Sequence, residues 1–588
     1  MKKVIEILQE ELSAAFEKAG YDKKYAKVGV SNRPDLCQYQ CNGALAAAKE
    51  YHKAPIQMAN EVVEFLKDSE SFKEIAAQAP GFINMSVSDR FLADYINKMA
   101  ASETLGLDKA ENPETIVIDY GGANVAKPLH VGHLRSAVIG ESIKRTARYL
   151  GHKVIGDVHL GDWGLQIGLI ITELKHRKPE LVYFDESFDG EYPTEPPFTM
   201  SDLEEIYPYA SGYSKEHPEY KEEAQTATAE LQLGRKGYLA LWQHIINVSV
   251  ADLKKIYTKL NVEFDLWKKE SDAQPYIPQM VQDMKDGGYA HIDQGALVVD
   301  VKEETDTKEI PPCMILKSNG ATLYNTTDLA TIVERRRLFD PDEIIYVVDK
   351  RQSLYFEQVF RCARKTKIIG EDVKLEFVGF GTMNGKDGKP FKTRDGGVLR
   401  LEKLLEDVNE QVLDKMKDRD MDKDMIDDAA AKISLAAIKY GDLSNQASKD
   451  YIFDVDRFTS FEGNTGPYIL YTIVRTKSLL AKVKAQNITV DEKSAIEPAD
   501  SKSETDVMLA LTKWSETVNA AFEEHAPHKI CQFVYELSDT FNKFYHENKI
   551  VTNENEKQRD SYIKLSALVG KVLETAIDLL GLEAPERM

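Results

Sequence analysis

One stretch of this chain is dense in groups that could handle a nucleotide. It reads Asp119-Tyr120-Gly121-Gly122-Ala123-Asn124-Val125-Ala126-Lys127-Pro128-Leu129-His130-Val131-Gly132-His133. The two imidazoles, His130 and His133, can donate hydrogen bonds to phosphate oxygens as charge builds on them during attack at an α-phosphorus. Gly132 between them lets a nucleotide approach the chain closely, since a Cβ there would stand in the way. Backbone N–H groups at a helix N-terminus add to the attraction for phosphate. Taken alone, such a histidine pair is more often structural. Its position between a strand and a helix is what favours chemistry.

That position follows from the flanking pattern. Thr115-Ile116-Val117-Ile118 is a β-branched run, and Ile139, Ile143, Ala147 and Leu150 recur at helical spacing before Gly151. Val154-Ile155 begins a second strand, which completes a βαβ unit and predicts a parallel sheet with its ligand crevice at the carboxyl edge. Similar strand runs recur at Leu297-Val298-Val299, Ile344-Ile345-Tyr346-Val347-Val348 and Leu375-Glu376-Phe377-Val378. Residues 175–260, polar and rich in Tyr and Glu, read as a helical insertion. Asn112-Pro113 marks the end of a first unit, residues 1–112, because proline restricts the residue before it. After about residue 400 the strand signals stop. Ile433, Ala436, Ala437 and Tyr440, and later Leu565, Val569, Val572, Leu573, Ala576 and Leu580, repeat at three and four, the pattern of an α-bundle. Residues 486–505 read as a polar linker.

Composition sets outer limits. The chain has 588 residues, enough for three or four domains. With 43% hydrophobic and 29% charged residues it is ordinary for a folded protein. Lys plus Arg number 75 against 97 Asp plus Glu, a net charge of −22, so a globally basic nucleic-acid coat is excluded while a local basic groove is not. Five scattered cysteines (Cys37, Cys41, Cys313, Cys362, Cys531) form no CxxC pair, which indicates neither a zinc knuckle nor a disulfide framework. Glu6, Glu10 and Glu11 interrupt any signal-peptide core, and no apolar run reaches the roughly 18 residues of a membrane span. A cytoplasmic address without membrane contact is the expectation.

His130-Val131-Gly132-His133 resembles the first signature of the class I aminoacyl-tRNA synthetases, and the longer block from Asn124 to Ser136 resembles its arginyl-tRNA synthetase form. Further matching blocks are Leu160-Gly161-Asp162-Trp163-Gly164 with Gln166, Phe264-Asp265 with Trp267 and Glu270-Ser271, and Leu323-Tyr324-Asn325-Thr326-Thr327-Asp328-Leu329-Ala330. Phe461-Glu462-Gly463-Asn464-Thr465-Gly466-Pro467-Tyr468 and the terminal Glu583-Ala584-Pro585-Glu586-Arg587-Met588 complete the series. The resemblance implies an α/β Rossmann-type catalytic domain split by the insertion (113–400), an α+β N-terminal additional domain (1–112) that contacts tRNA, and an all-α anticodon-binding domain (401–588). It implies arginine–tRNA ligase activity: L-arginine is activated with ATP, and arginine is transferred to the 3′ end of tRNA(Arg). The alternatives are a class I synthetase for another amino acid and a non-catalytic tRNA-binding paralogue.

The resemblance also assigns residues. His130, Gly132, His133, Gly161, Asp162 and Lys392 would serve ATP, which would bring magnesium with it, and no structural zinc is expected. Lys127, Lys389 and Lys392 would supply charge toward pyrophosphate. The second class signature is degenerate here, its place taken by Gly385-Lys386-Asp387-Gly388-Lys389-Pro390-Phe391-Lys392-Thr393-Arg394. Asp119, Asn124, His159, Tyr324, Asp328 and Gln352 would line the arginine pocket, where a planar cation with five donors calls for carboxylate and carboxamide oxygens. Relatives often carry histidine where this chain has Tyr355, and no role is assigned to it. Tyr545 and Met588 are the expected tRNA contacts, and a monomer is the expected state.

Overall fold

The computed structural model describes residues 1–389, 399–491 and 494–588; Lys392 lies outside them. The first unit packs helices against a four-stranded antiparallel sheet in the order Val28–Val30, Tyr39–Cys41, Phe82–Val87, Phe72–Gln78.

The central sheet is parallel throughout, in the order Lys374–Phe380, Glu343–Asp349, Thr115–Asp119, Lys153–Asp157. The chain leaves Thr115–Asp119 for one side, crosses through helix Val131–Tyr149, and later returns on the other side at Glu343–Asp349. That reversal opens a crevice at the carboxyl ends of the strands. Register there places Asp119 opposite Asp157 on one neighbour and Tyr346 on the other. Four helices, from Leu165–Arg177 to Lys236–Lys259, fill most of the insertion.

Two expectations change. The run at Leu297 does form a strand, Ala296–Val299, but in a separate antiparallel sheet with Ala290–Asp293 and Cys313–Leu316. A short apolar run shows that a strand forms without showing its partner. Beyond residue 400 a two-residue strand, Tyr451–Ile452, pairs in parallel with Met383–Asn384 and ties the helical end to the catalytic unit. The remainder is helical, with the last two long helices at Pro527–Glu547 and Glu556–Leu579.

Helix Val131–Tyr149 is buried along most of its length, including Arg135, Glu141 and Lys144. Their charges are paired. Arg135 Nε donates to Asp442 Oδ2 of the helical end at 3.0 Å, and its Nη1 donates to the carbonyls of Gly381 (2.7 Å) and Lys449 (3.0 Å). The Tyr451 hydroxyl donates to the same Asp442 oxygen at 2.8 Å. Glu141 meets Lys144 at 2.8 Å, Arg145 at 2.7 Å and the Tyr120 hydroxyl at 2.9 Å. Nearby, burial lowers Lys439 to about 7, and its ammonium donates to the carbonyls of Leu260 and Gly581, both at 2.8 Å.

Removing one partner of a buried pair strands the other charge, which costs about 3–5 kcal/mol, whereas replacing both with apolar groups is often neutral. Asp442→Asn should therefore lower the unfolding free energy from urea titration by that much, and the double variant R135M/D442L should recover most of it. A single-variant loss below about 1 kcal/mol would show that this pair does not hold the two units together.

Candidate active site

The histidine side of the crevice is built by helix capping. The Gly132 N–H donates to His130 Nδ1 at 3.0 Å, and the His130 N–H donates to His133 Nδ1 at 3.1 Å. The rings lie 3.9 Å apart. With each Nδ1 accepting, the proton of each neutral ring belongs on Nε2. Both rings are held neutral: burial and then the charge of His130 bring His133 down to about 3, while burial and then Lys127 lower His130. The helix start thus offers two Nε2–H donors without fixed positive charge. Gly132 has a local reason as well, because a Cβ there would sit 2.8 Å from the His130 ring.

The loop before this helix is held in an uncommon conformation. Ala126 has φ +56, with its N–H donating to the buried Ser249 Oγ at 2.8 Å, and His159 on the neighbouring loop has φ +37. Non-glycine residues adopt such angles only where surrounding contacts over-determine them. Gly161 joins the two loops: its N–H donates to Ala123 O at 3.2 Å and its carbonyl accepts from Val125 N–H at 3.1 Å. A Cβ at Gly161 would collide with Asn124 Oδ1. The Asp162 carboxylate is buried and accepts from the Ser271 N–H (3.0 Å) and hydroxyl (2.6 Å), so its side chain braces the turn that carries Glu270. Lys127 Nζ stands 4.7 Å from the ring of Tyr207, which comes from the insertion. Lys389 is exposed in a turn closed by the Gly385 N–H donating to its carbonyl at 2.8 Å. Leu399–Leu401, where description resumes, pair with the histidine segment through Val131 N–H to Leu399 O (3.1 Å) and Leu401 N–H to Leu129 O (2.8 Å).

The amino-acid half lies on one face of helix Tyr324–Phe339. Tyr324, Asp328, Thr331 and Arg335 follow at four, three and four residues, so they share that face. Tyr324 is 71% exposed at the helix start. Asp328 is half-buried and accepts a hydrogen bond from the Tyr355 hydroxyl. Burial raises the Asp328 carboxyl above its ordinary range, and the Tyr355 bond works against that rise. Glu270 is largely buried and is brought up to about 7, first by burial and then by the charge of Asp328. Arg335 Nη2 donates to Asp119 Oδ2 at 2.5 Å and to Asp157 Oδ2 at 2.9 Å. His159 Nδ1 lies 3.7 Å from Asp157 Oδ2 and its Nε2 lies 3.4 Å from Thr331 Oγ1. Burial opposes the His159 charge, but Asp157 and Asp119 hold it up to about 9. Asp157 in turn is held below the usual carboxylate range, its burial outweighed by His159 and Arg335.

The structure gathers Asp119, His159, Tyr324 and Asp328 around this face, and His130, Gly132 and His133 at the adjoining helix start. Gln352 is exposed at the end of the neighbouring strand, just before helix Ser353–Lys365. Tyr545 and Met588 lie in the C-terminal bundle, where Arg475 sits 4.8 Å from the Tyr545 ring and 4.9 Å from that of Tyr471. Sequence reading gave no role to Glu270, Asp157, Arg335 or Tyr355. Arg335 was within reach, since it continues the helical spacing of Tyr324 and Asp328. Among the described residues, no group of three or more His, Cys, Asp or Glu is placed to hold a metal ion.

The family model for the catalytic domain of class I (R) tRNA synthetases matches residues 95–455. Models for the arginyl tRNA synthetase N-terminal domain and the DALR anticodon binding domain match residues 2–87 and 469–588. Among curated relatives, the arginine–tRNA ligase of Agathobacter rectalis is 60% identical over all of both chains. That of Alkaliphilus oremlandii is 58% identical, over 99% of this chain and all of the relative. Among solved structures, the arginyl-tRNA synthetases of Plasmodium falciparum and Thermus thermophilus superpose over the whole of both chains with TM-scores of 0.79 and 0.78 at 24% and 22% identity. These two show the shared fold.

The charge on His159 has a stability signature. Its pKa is raised from 6.5 to about 9, so its contribution is complete below pH 6.5 and is lost as pH rises through 9. The full contribution is on the order of 3 kcal/mol. Urea unfolding at pH 6.5 and 9.5 should show that much extra loss in the native protein relative to His159→Asn. Parallel losses in the two proteins would mean that the ring is neutral throughout.

Proposed function

As the chain belongs to the arginyl-tRNA synthetase family of class I, we propose that it is an ATP-dependent arginine–tRNA ligase whose two half-reactions use the crevice described above. In the first, the carboxylate of L-arginine attacks the α-phosphorus of ATP, forming arginyl-adenylate and releasing pyrophosphate. In the second, the 3′-terminal adenosine hydroxyl of tRNA(Arg) attacks the activated carbonyl and AMP leaves. The reading rests on one observation: a half-buried pair of carboxylates, Asp328 and Glu270, beside Tyr324 and within the same crevice as the capped histidines.

A guanidinium has five donors and a permanent charge, and Asp328 with Glu270 offers it oxygens in a site where a neutral side chain would leave a buried acid unpaired. This argues against a synthetase for another amino acid. Asp119 receives the α-ammonium, and Asn124, His159 and Gln352 complete the polar lining. His130 and His133 donate through Nε2 to the phosphate oxygens as charge develops, and because they are neutral they do so without holding product phosphate by net charge. The backbone at Gly132 and Gly161 shapes the nucleotide side, while Asp162 acts through its brace on the Glu270 turn. Lys127, Lys389 and Lys392 supply charge toward pyrophosphate, and magnesium arrives with ATP. The C-terminal bundle, with Tyr545 and Met588, reads the anticodon, and the N-terminal unit contacts the body of the tRNA. The enzyme acts as a monomer in the cytoplasm.

Purified protein should charge tRNA with arginine and not with glutamate. Asp328→Asn should raise the KM for arginine by 10²–10³-fold, about 3–4 kcal/mol, with the KM for ATP within twofold of native in pyrophosphate exchange run with tRNA present. Parallel loss of ATP binding would take Asp328 out of the amino-acid pocket. His130→Ala should slow adenylate formation by about 10²-fold while leaving tRNA affinity unchanged.

A further inference from the structure

Register lines up Asp157, Asp119 and Tyr346 on three adjacent strands, and Arg335 meets all three. Its guanidinium carbon is 5.3 Å from the Tyr346 ring centre, and its side chain is 2% exposed. An arginine acting only as a cross-link would use its fork, with two nitrogens on one carboxylate. Here a single nitrogen, Nη2, serves both acids, and Nε and Nη1 are buried without a hydrogen-bond partner. The shared nitrogen sets one positive charge between two carboxylates. The two acids differ in what they face. Asp157 is enclosed and also holds His159, whereas the Asp119 side chain keeps 15% exposure.

Two carboxylates opposite each other in register repel, and the guanidinium between them offsets that repulsion and fixes where they point. Arginine brings two cations to the crevice, an α-ammonium and a guanidinium, and four acids stand there to receive them: Asp119, Asp157, Asp328 and Glu270. An acid that already carries one guanidinium on Oδ2 has room for a compact ammonium but not for a second planar fork. Resting on the reading of Asp119 as the ammonium acceptor, we propose that Arg335 is a positioning residue that holds the Asp119 carboxylate at the crevice edge and sets the direction in which arginine enters. The internal guanidinium reserves Asp119 for the α-ammonium and leaves Asp328 and Glu270 as the only place for the substrate guanidinium. The α-carboxylate is thereby placed toward the histidines.

The test uses pyrophosphate exchange by the full-length enzyme with tRNA present. L-arginine is the substrate, and 5-guanidinopentanoate, which lacks the α-amino group, is a competitive inhibitor. Arg335→Gln should raise the KM for arginine at least about 30-fold, keep the KM for ATP within twofold, and leave the Ki of the deamino compound unchanged. R335K, which keeps the charge but cannot span both acids, should show a three- to tenfold rise in the arginine KM. Equal losses for arginine and for the deamino compound in R335Q would overturn the proposal. If R335Q does not fold, R335K decides: an unchanged KM, or equal effects on both ligands, overturns it. If the native enzyme binds the deamino compound as tightly as arginine, the assignment of Asp119 fails first, and this proposal falls with it.

Discussion

The structure depends on keeping a charged helix dry. Val131–Tyr149 carries the histidines at its first turn and then runs through the interior, taking Arg135, Glu141 and Lys144 out of water. Ions removed from water are tolerated only when paired and hydrogen-bonded, so each unit packed on this helix must bring a partner. The helical end brings Asp442, with Tyr451 bonded to the same oxygen, and the strand before the helix is followed by Tyr120, which meets Glu141. Arg145 extends the set by meeting Asp578 near the end of the last helix at 2.8 Å. The position of the capped histidines is therefore fixed by contacts with both large units, not by the parallel sheet alone.

The crevice divides into a neutral side and an ionic side, and the division follows from burial. At the helix start, desolvation and a neighbouring lysine strip the imidazoles of charge and leave directional donors. Along the face of Tyr324–Phe339, equally strong desolvation is met by opposite charges within bonding distance, so Asp157 and His159 stay ionised. Developing phosphate charge is best served by donors that need no reorganisation, and a permanently charged side chain by carboxylates that solvent does not screen. The same low dielectric strengthens both.

Much of this was legible from residue order. The βαβ unit, the capped pair at its crossover and the helical C-terminal third all follow from local periodicity, which is what period-2 and period-3.6 patterns report. Pairing between distant segments is not local. Ala296–Val299 carried a strand signal that could not name its antiparallel neighbours, and Tyr451–Ile452 was too short to signal at all. In the site, Asp119 and Asp328 stood out as acids beside a motif. Arg335 did not, because the first of three consecutive arginines, preceded by Glu334, reads as part of a solvated helix turn. Only strand register reveals that its partners are Asp119 and Asp157.

The described segments on either side of residues 390–398 are tied to different units. Upstream, Met383–Asn384 pairs with Tyr451–Ile452, a segment contiguous with the helical domain, and Lys386 meets Asp454 and Asp456 at 3.1 Å each. Downstream, Leu399–Leu401 hydrogen-bonds to Leu129 and Val131, directly beside His130, while Arg400 meets Glu204 of the insertion at 2.7 Å. Asp442, seven residues before Lys449 at the end of its helix, closes the path by holding Arg135 on the helix that His130 begins. The fold thus joins the helical C-terminal unit to the histidine segment through backbone pairing and one buried ion pair.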